Sequence, residues 1–300
     1  DLMTWADRVQ TDEDPDPLDV AQNAPEGTEQ VLHYSGKGRD IANFEQFLKQ
    51  AKALELRNLL LLSGDKLKNH NDGHLQPELR SRYLESVNMV MAARRDSSLN
   101  IGVAFNPFKY AEAERDAQYF KLQKKIQAGA DYIITQLGFD LDALKQAKKF
   151  LERAHVQRPI LACVMPLTLA RANFMVKHKV AGIVITPHML KVLAEEKETG
   201  LTERVHLRCA LQILICKQLG FAGIHLSACH KAEEQMRLER YLEEYGHLEL
   251  DALELLWNSL WQVKTGKEFM PTLTSYSRQP TSIQIIKYQH LHFMHDAFFE

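Results

Sequence analysis

Three polar side chains stand at or near the ends of apolar runs, where a buried strand would deliver them to a site. Asp65 follows LLLLSG, Gln136 sits in YIITQL, and His33 lies in LHYSG. A carboxylate at the carboxyl end of a strand can tune or protonate a reacting group, and it is equally at home in a turn or as a helix cap. An amide carried into an apolar run must find hydrogen-bond partners, supplied either by a ligand or by the protein itself. Histidine at such a position is a ligand contact or a structural residue satisfied by its neighbours. His290, His292 and His295 form H-x-H-x-x-H with Asp296 alongside. The spacing could ligate a metal, packing or an interface is the simpler reading, and no metal centre is assigned.

These residues need strands to carry them, and the chain supplies short apolar runs bounded by turn residues. They are Leu2–Trp5, Gln30–Tyr34, Asn58–Ser63, Asn100–Phe105, Tyr132–Leu137, Pro159–Pro166, Gly182–Thr186 and Gly223–Ala228. Continuous apolar character without alternation marks parallel strands covered on both faces. Between them, Ile41–Leu54, Leu79–Arg94, Glu112–Ala128, Leu141–Ala154, Ala170–His178 and Thr202–Leu219 repeat apolar residues at helical spacing. The rhythm of strand, loop and helix predicts a parallel α/β barrel with residues 1–245, followed by a helical extension over 246–300. Two polar, turn-rich stretches, Gln10–Gly27 and Lys66–Pro77, follow predicted strands where a barrel carries its active-site loops.

Composition narrows the function classes. Lys plus Arg number 37 against 39 Asp plus Glu, so no bulk charge recruits nucleic acid or an anionic membrane surface. No apolar run approaches the roughly 18 residues of a membrane span. Cys163, Cys209, Cys216 and Cys229 show neither C-x-x-C spacing nor the density of a secreted disulfide scaffold, which points to a reducing cytoplasm. There is no G-x-G-x-x-G after a strand, no G-x-x-x-x-G-K-[ST] and no G-x-S-x-G. An aldolase-like barrel with a Schiff-base lysine is disfavoured because no predicted strand ends in lysine.

LLLLSGD at Leu59–Asp65, KLQKKIQAGADYIITQLGFD at Lys121–Asp140 and GIHLSACHKAE at Gly223–Glu233 appear in order, with Thr4, His33 and PILACVMP around them. Together they resemble methylenetetrahydrofolate reductase, an FAD-dependent TIM-barrel family. The resemblance runs from Thr4 to about Glu233. It implies a (β/α)8 TIM barrel in which Gly182–Thr186 lies outside the wall and the first strand, bearing a general-acid glutamate, precedes Asp1. A genuine start at Asp1 would favour a non-catalytic reading.

The resemblance further implies site residues. Asp65 would lie by the flavin ring and contact the pterin, and Gln136 would contact both folate and nicotinamide. Thr4, His33, Gly64, Asp65, Asn106 and Lys125 would bind FAD, Lys125 through a phosphate. Lys231 stands where the family has a folate-contacting arginine; it keeps the charge and loses the bidentate geometry. Ser63, Asn106 and Ala172 replace a family arginine, tyrosine and glutamine. The activity implied is reduction of 5,10-methylenetetrahydrofolate to 5-methyltetrahydrofolate, or the reverse oxidation, with NADH, NADPH or a partner subunit as electron source. The alternative is a folate- or flavin-binding barrel acting as a subunit of a one-carbon complex. In either case the extension is the expected surface for homo-oligomer or partner contacts.

Overall fold

A computed structural model describes residues 2–7, 15–64 and 83–262. In chain order these form β1 (Leu2–Trp5), α1 (Pro17–Gln22), β2 (Glu29–Ser35), α2 (Ile41–Ala53), β3 (Asn58–Leu62) and α3 (Ser86–Ala93). Then come β4 (Asn100–Phe105), α4 (Glu112–Gln127), β5 (Tyr132–Thr135), α5 (Leu141–Arg153) and β6 (Ile160–Val164). The last are α6 (Leu169–Lys177), α7 (Pro187–Glu198), α8 (Arg204–Gln218), β7 (Gly223–Leu226), α9 (Ala232–Tyr245) and α10 (Leu250–Ser259).

The strands follow one another in the order β1-β2-β3-β4-β5-β6-β7, and the pairs from β1–β2 to β5–β6 are parallel. Sequential parallel strands with intervening helices have the connectivity of a partial (β/α)8 barrel. Gly182–Thr186 is no strand: Gly182 turns at φ 77° and Thr186 caps α7. Three helices lie outside the predicted set. Two of them, α1 and α7, open on a cap–proline pair (Asp16-Pro17 and Thr186-Pro187), in which proline's fixed φ and missing N–H suit the first turn. The third is α9.

The chain divides into two compact units, the first comprising Asp1–Gln136 with Gln157–Leu161 and the second Leu137–Val156 with Ala162–Glu300. In the first, alternation along each strand separates two faces. Leu32, Tyr34, Leu59, Leu61, Ile101, Val103 and Ile133 share one face and are almost wholly buried. Tyr34 meets Phe44 and Phe47 of α2 at centroid distances of 4.9 and 4.5 Å, so this is the helix-covered face. A capping box starts α2: the Asp40 carboxylate accepts from the Asn43 N–H, and the Asn43 side chain accepts from the Asp40 N–H.

The second unit is organised by α8, whose residues Val205–Cys216 are all buried. Burying a charge there requires a partner. Arg208 meets Glu196 through two 2.6 Å contacts, donates to the Leu260 carbonyl and stacks 4.3 Å from the Trp261 ring. Gln212 donates to the Gly138 carbonyl. Leu253, Leu256 and Trp257 on α10 are buried; residues 263–300 of the expected extension, with the His290–His295 motif, lie outside the described residues. All four cysteines are free thiols buried in this unit.

Candidate functional site at the carboxyl ends of the strands

Register decides which residues of the first unit can face one site. Thr4 pairs with Val31, His33 with Leu60, Leu60 with Gly102, and Gly102 with Tyr132. Partners in a parallel ladder point to the same side, so Thr4 and His33 share the face opposite Tyr34. Carrying the alternation one or two residues beyond the strand ends adds Gly64, Asn106 and Gln136 to that face. The ladder does continue there, since the Gln136 N–H donates to the Phe105 carbonyl at 2.7 Å. Thr4 and His33 lie deepest, at 0% and 7% exposure, while Asn106 and Gln136 are only half-buried. The face therefore opens toward the carboxyl ends.

Tyr132 lies across the middle of this face. A Cβ on Gly102 would fall 2.2 Å from its ring, and its hydroxyl donates to the Leu59 carbonyl at 2.8 Å. Gly64 is required on two counts: φ is 77°, and a Cβ would sit 2.2 Å from Ser35 Oγ. Next to it, Ser63 donates to Glu85 at 2.8 Å and accepts from the Ser86 N–H, while Tyr83 donates to the Gly64 carbonyl. The Asn106 side chain accepts from the Phe108 N–H at 2.9 Å and shapes the turn after β4. Asp65 lies outside the described residues.

Lys125 reaches from α4 to the end of β4, where its ammonium donates to the Ala104 carbonyl at 2.7 Å. Burial above all, with Lys121 adding to it and Glu85 opposing, lowers its pKa to about 8. One of its three donors is thus committed to the strand, which fixes the head group without exhausting it. Asp7 was missed by sequence reasoning. Its carboxylate accepts from the Ser35 N–H and from Nη1 and Nη2 of Arg39, and it is inaccessible to solvent. In the sequence it reads only as one acid before a polar loop.

In the second unit, Lys231 is exposed and occupies the position before α9. Cys163 Sγ lies 3.1 Å from His225 Nδ1 and 3.4 Å from Ser227 Oγ. Burial raises that thiol to about 11, so it stays protonated at neutral pH. Among the described residues no three His, Cys, Asp or Glu side chains group to hold a metal.

The sequence profile of the methylenetetrahydrofolate reductase family matches residues 3–240, and the chain belongs to that family. "Methylenetetrahydrofolate reductase 1" of Schizosaccharomyces pombe is 25% identical over 221 residues, covering 73% of this chain and 36% of that protein. A Caenorhabditis elegans protein titled "Probable methylenetetrahydrofolate reductase (NADPH)" is 28% identical over 147 residues, 47% of this chain and 21% of that one. The chain thus spans about a third or less of the length of these two relatives. Among solved structures, 2,3-dimethylmalate lyase aligns over 81% of this chain and 70% of its own at 11% identity and a TM-score of 0.38, a likeness that carries no argument.

Proposed function

We propose that this chain is the flavin-binding catalytic part of a methylenetetrahydrofolate reductase. The observation that supports the reading is the shared face: Thr4 and His33 lie on one side of the sheet by register, and the alternation carried past the strand ends brings Gly64, Asn106 and Gln136 to the same side, all within the family match. The donor set fits FAD. A hydroxyl and an imidazole lie deep on that face, glycine keeps the end of β3 slim, and an anchored ammonium at the end of β4 suits a phosphate. When bound, FAD supplies the hydride chemistry between a nicotinamide donor and the folate. Lys125 would pair with a phosphate of FAD, Thr4 and His33 would orient the flavin, and Asp65 would disfavour excess negative charge beside it. Gln136 hydrogen-bonds each substrate in turn, and Lys231 supplies a cation to the folate. NADPH is the favoured donor because the nematode relative is named for it.

Among the described residues no helix is long and apolar enough to cross a membrane, and a reducing cytoplasm suits four free thiols. The test is direct. Purified protein should be yellow, bleach anaerobically with NADPH and recover its colour with 5,10-methylenetetrahydrofolate. A colourless protein that takes up no FAD sinks the reading, and one that binds FAD and folate without the redox cycle is a binding subunit instead.

A further inference from the structure

The segment after β7 is held by more than its length requires. The Ser227 N–H donates to the Val164 carbonyl at 2.8 Å, and Ala228 then adopts φ 50°, the left-handed region that residues with a Cβ rarely enter. Beyond Cys229, His230 and Lys231 the chain enters α9, and two side chains in its first turn reach back. Gln235 donates to the Cys229 carbonyl at 3.0 Å. Glu234 accepts from Arg171 Nη2 at 3.3 Å, and Arg171 Nη1 donates to the Pro166 carbonyl at 2.5 Å. Arg171 is 4% exposed. His206 Nε2 lies 3.9 Å from Glu234, but burial lowers its pKa, so Arg171 remains the standing cationic partner.

Neither device is explained by stability. An ion pair that draws one charge out of water, as Arg171 is drawn here, is often no better than apolar residues of the same volume, and a left-handed alanine is strained. Strain kept at the carboxyl end of a strand, between two straps and next to an exposed lysine, has the character of preorganisation. We propose that Arg171 is a positioning residue: through Glu234 it fixes the segment Ala228–Lys231 so that Lys231 presents its ammonium to an anionic group of the folate. This deepens the reading above and rests on it. The same segment left slack would bind the same group more weakly, because ordering it would be deferred to the binding step.

The experiment measures calorimetric binding of 5-methyltetrahydrofolate, and anaerobic flavin reduction by NADPH, for the parent, Arg171→Lys and Ala228→Gly. Both variants should bind the folate about three- to tenfold more weakly while flavin reduction is unchanged. Ala228→Gly is the sharper arm, since relief of strain offsets the lost methyl and its melting temperature should hardly move. If both variants bind folate like the parent and Arg171→Lys only melts earlier, the pair is a structural brace and the proposal fails alone. If the parent binds no folate, the proposal and the functional reading fail together.

Discussion

Lys125 puts its proposed function and stability in opposition at a single side chain. Its ammonium is kept near a strand end at the expense of hydration, so the native state releases its proton at about 8 instead of 10.5. Between those values the unfolded chain binds more protons than the native one, and stability contributed by this residue rises with pH over that window. The parent should gain on the order of 2 kcal/mol between pH 7.5 and 10 relative to Lys125→Met, as urea melts of the two proteins will measure. At pH 7 the variant should be the more stable protein and should bind FAD at least about tenfold more weakly, which fluorescence quenching reads directly. Parent FAD affinity should itself decline as pH rises through 8. Asp65→Asn should retain FAD yet slow reoxidation by the folate at least about tenfold in stopped flow. Residues of this kind were legible because a polar side chain at the end of an apolar run is conspicuous, as with His33 and Gln136. Asp7 and the Arg171–Glu234 pair were not: their partners lie 28, 32 and 63 positions away, and no local pattern encodes such a distance.

At the level of elements, what aligns the proposed site is the register of β1 to β5, across which Tyr132 packs closely over Gly102. Gly102→Ala should cost about 2–3 kcal/mol in denaturant melts, because the new methyl would occupy the ring's place. Tyr132→Phe should cost about 1 kcal/mol through loss of the donor to Leu59. If the added methyl is the cause, truncating the ring in Gly102→Ala/Tyr132→Ala should recover part of the loss. The strands themselves were easily read, since runs such as NLLLL and NIGVAF leave few other structures open. Their faces were not. A strand buried on both sides carries no polar alternation, and only the ladder reveals that Thr4, His33 and Gln136 share a side. Predicted over Leu79–Arg94, the third helix begins at Ser86, where the backbone after the Tyr83 bridge turns through Glu85 and Ser63 caps the Ser86 N–H. The short α1 was hidden in a loop-like composition that its Asp-Pro opening could have betrayed.

For the whole molecule, the family match crosses both compact units. Their chemistry offers a way to watch each separately. Every cysteine lies in the second unit, buried, with burial holding Cys216 and Cys229 at about 12 and raising Cys209 well above its usual value. The first unit carries Trp5 and no thiol, whereas Trp257 and Trp261 belong to the second. Disulfide-exchange reagents should therefore find almost nothing to titrate in the native protein at pH 8, and the rate at which the four thiols appear is a clock for opening of one half of the chain. Run beside the fluorescence of a protein retaining Trp5 alone, that clock should tick in step if unfolding is a single event and ahead or behind if it is two.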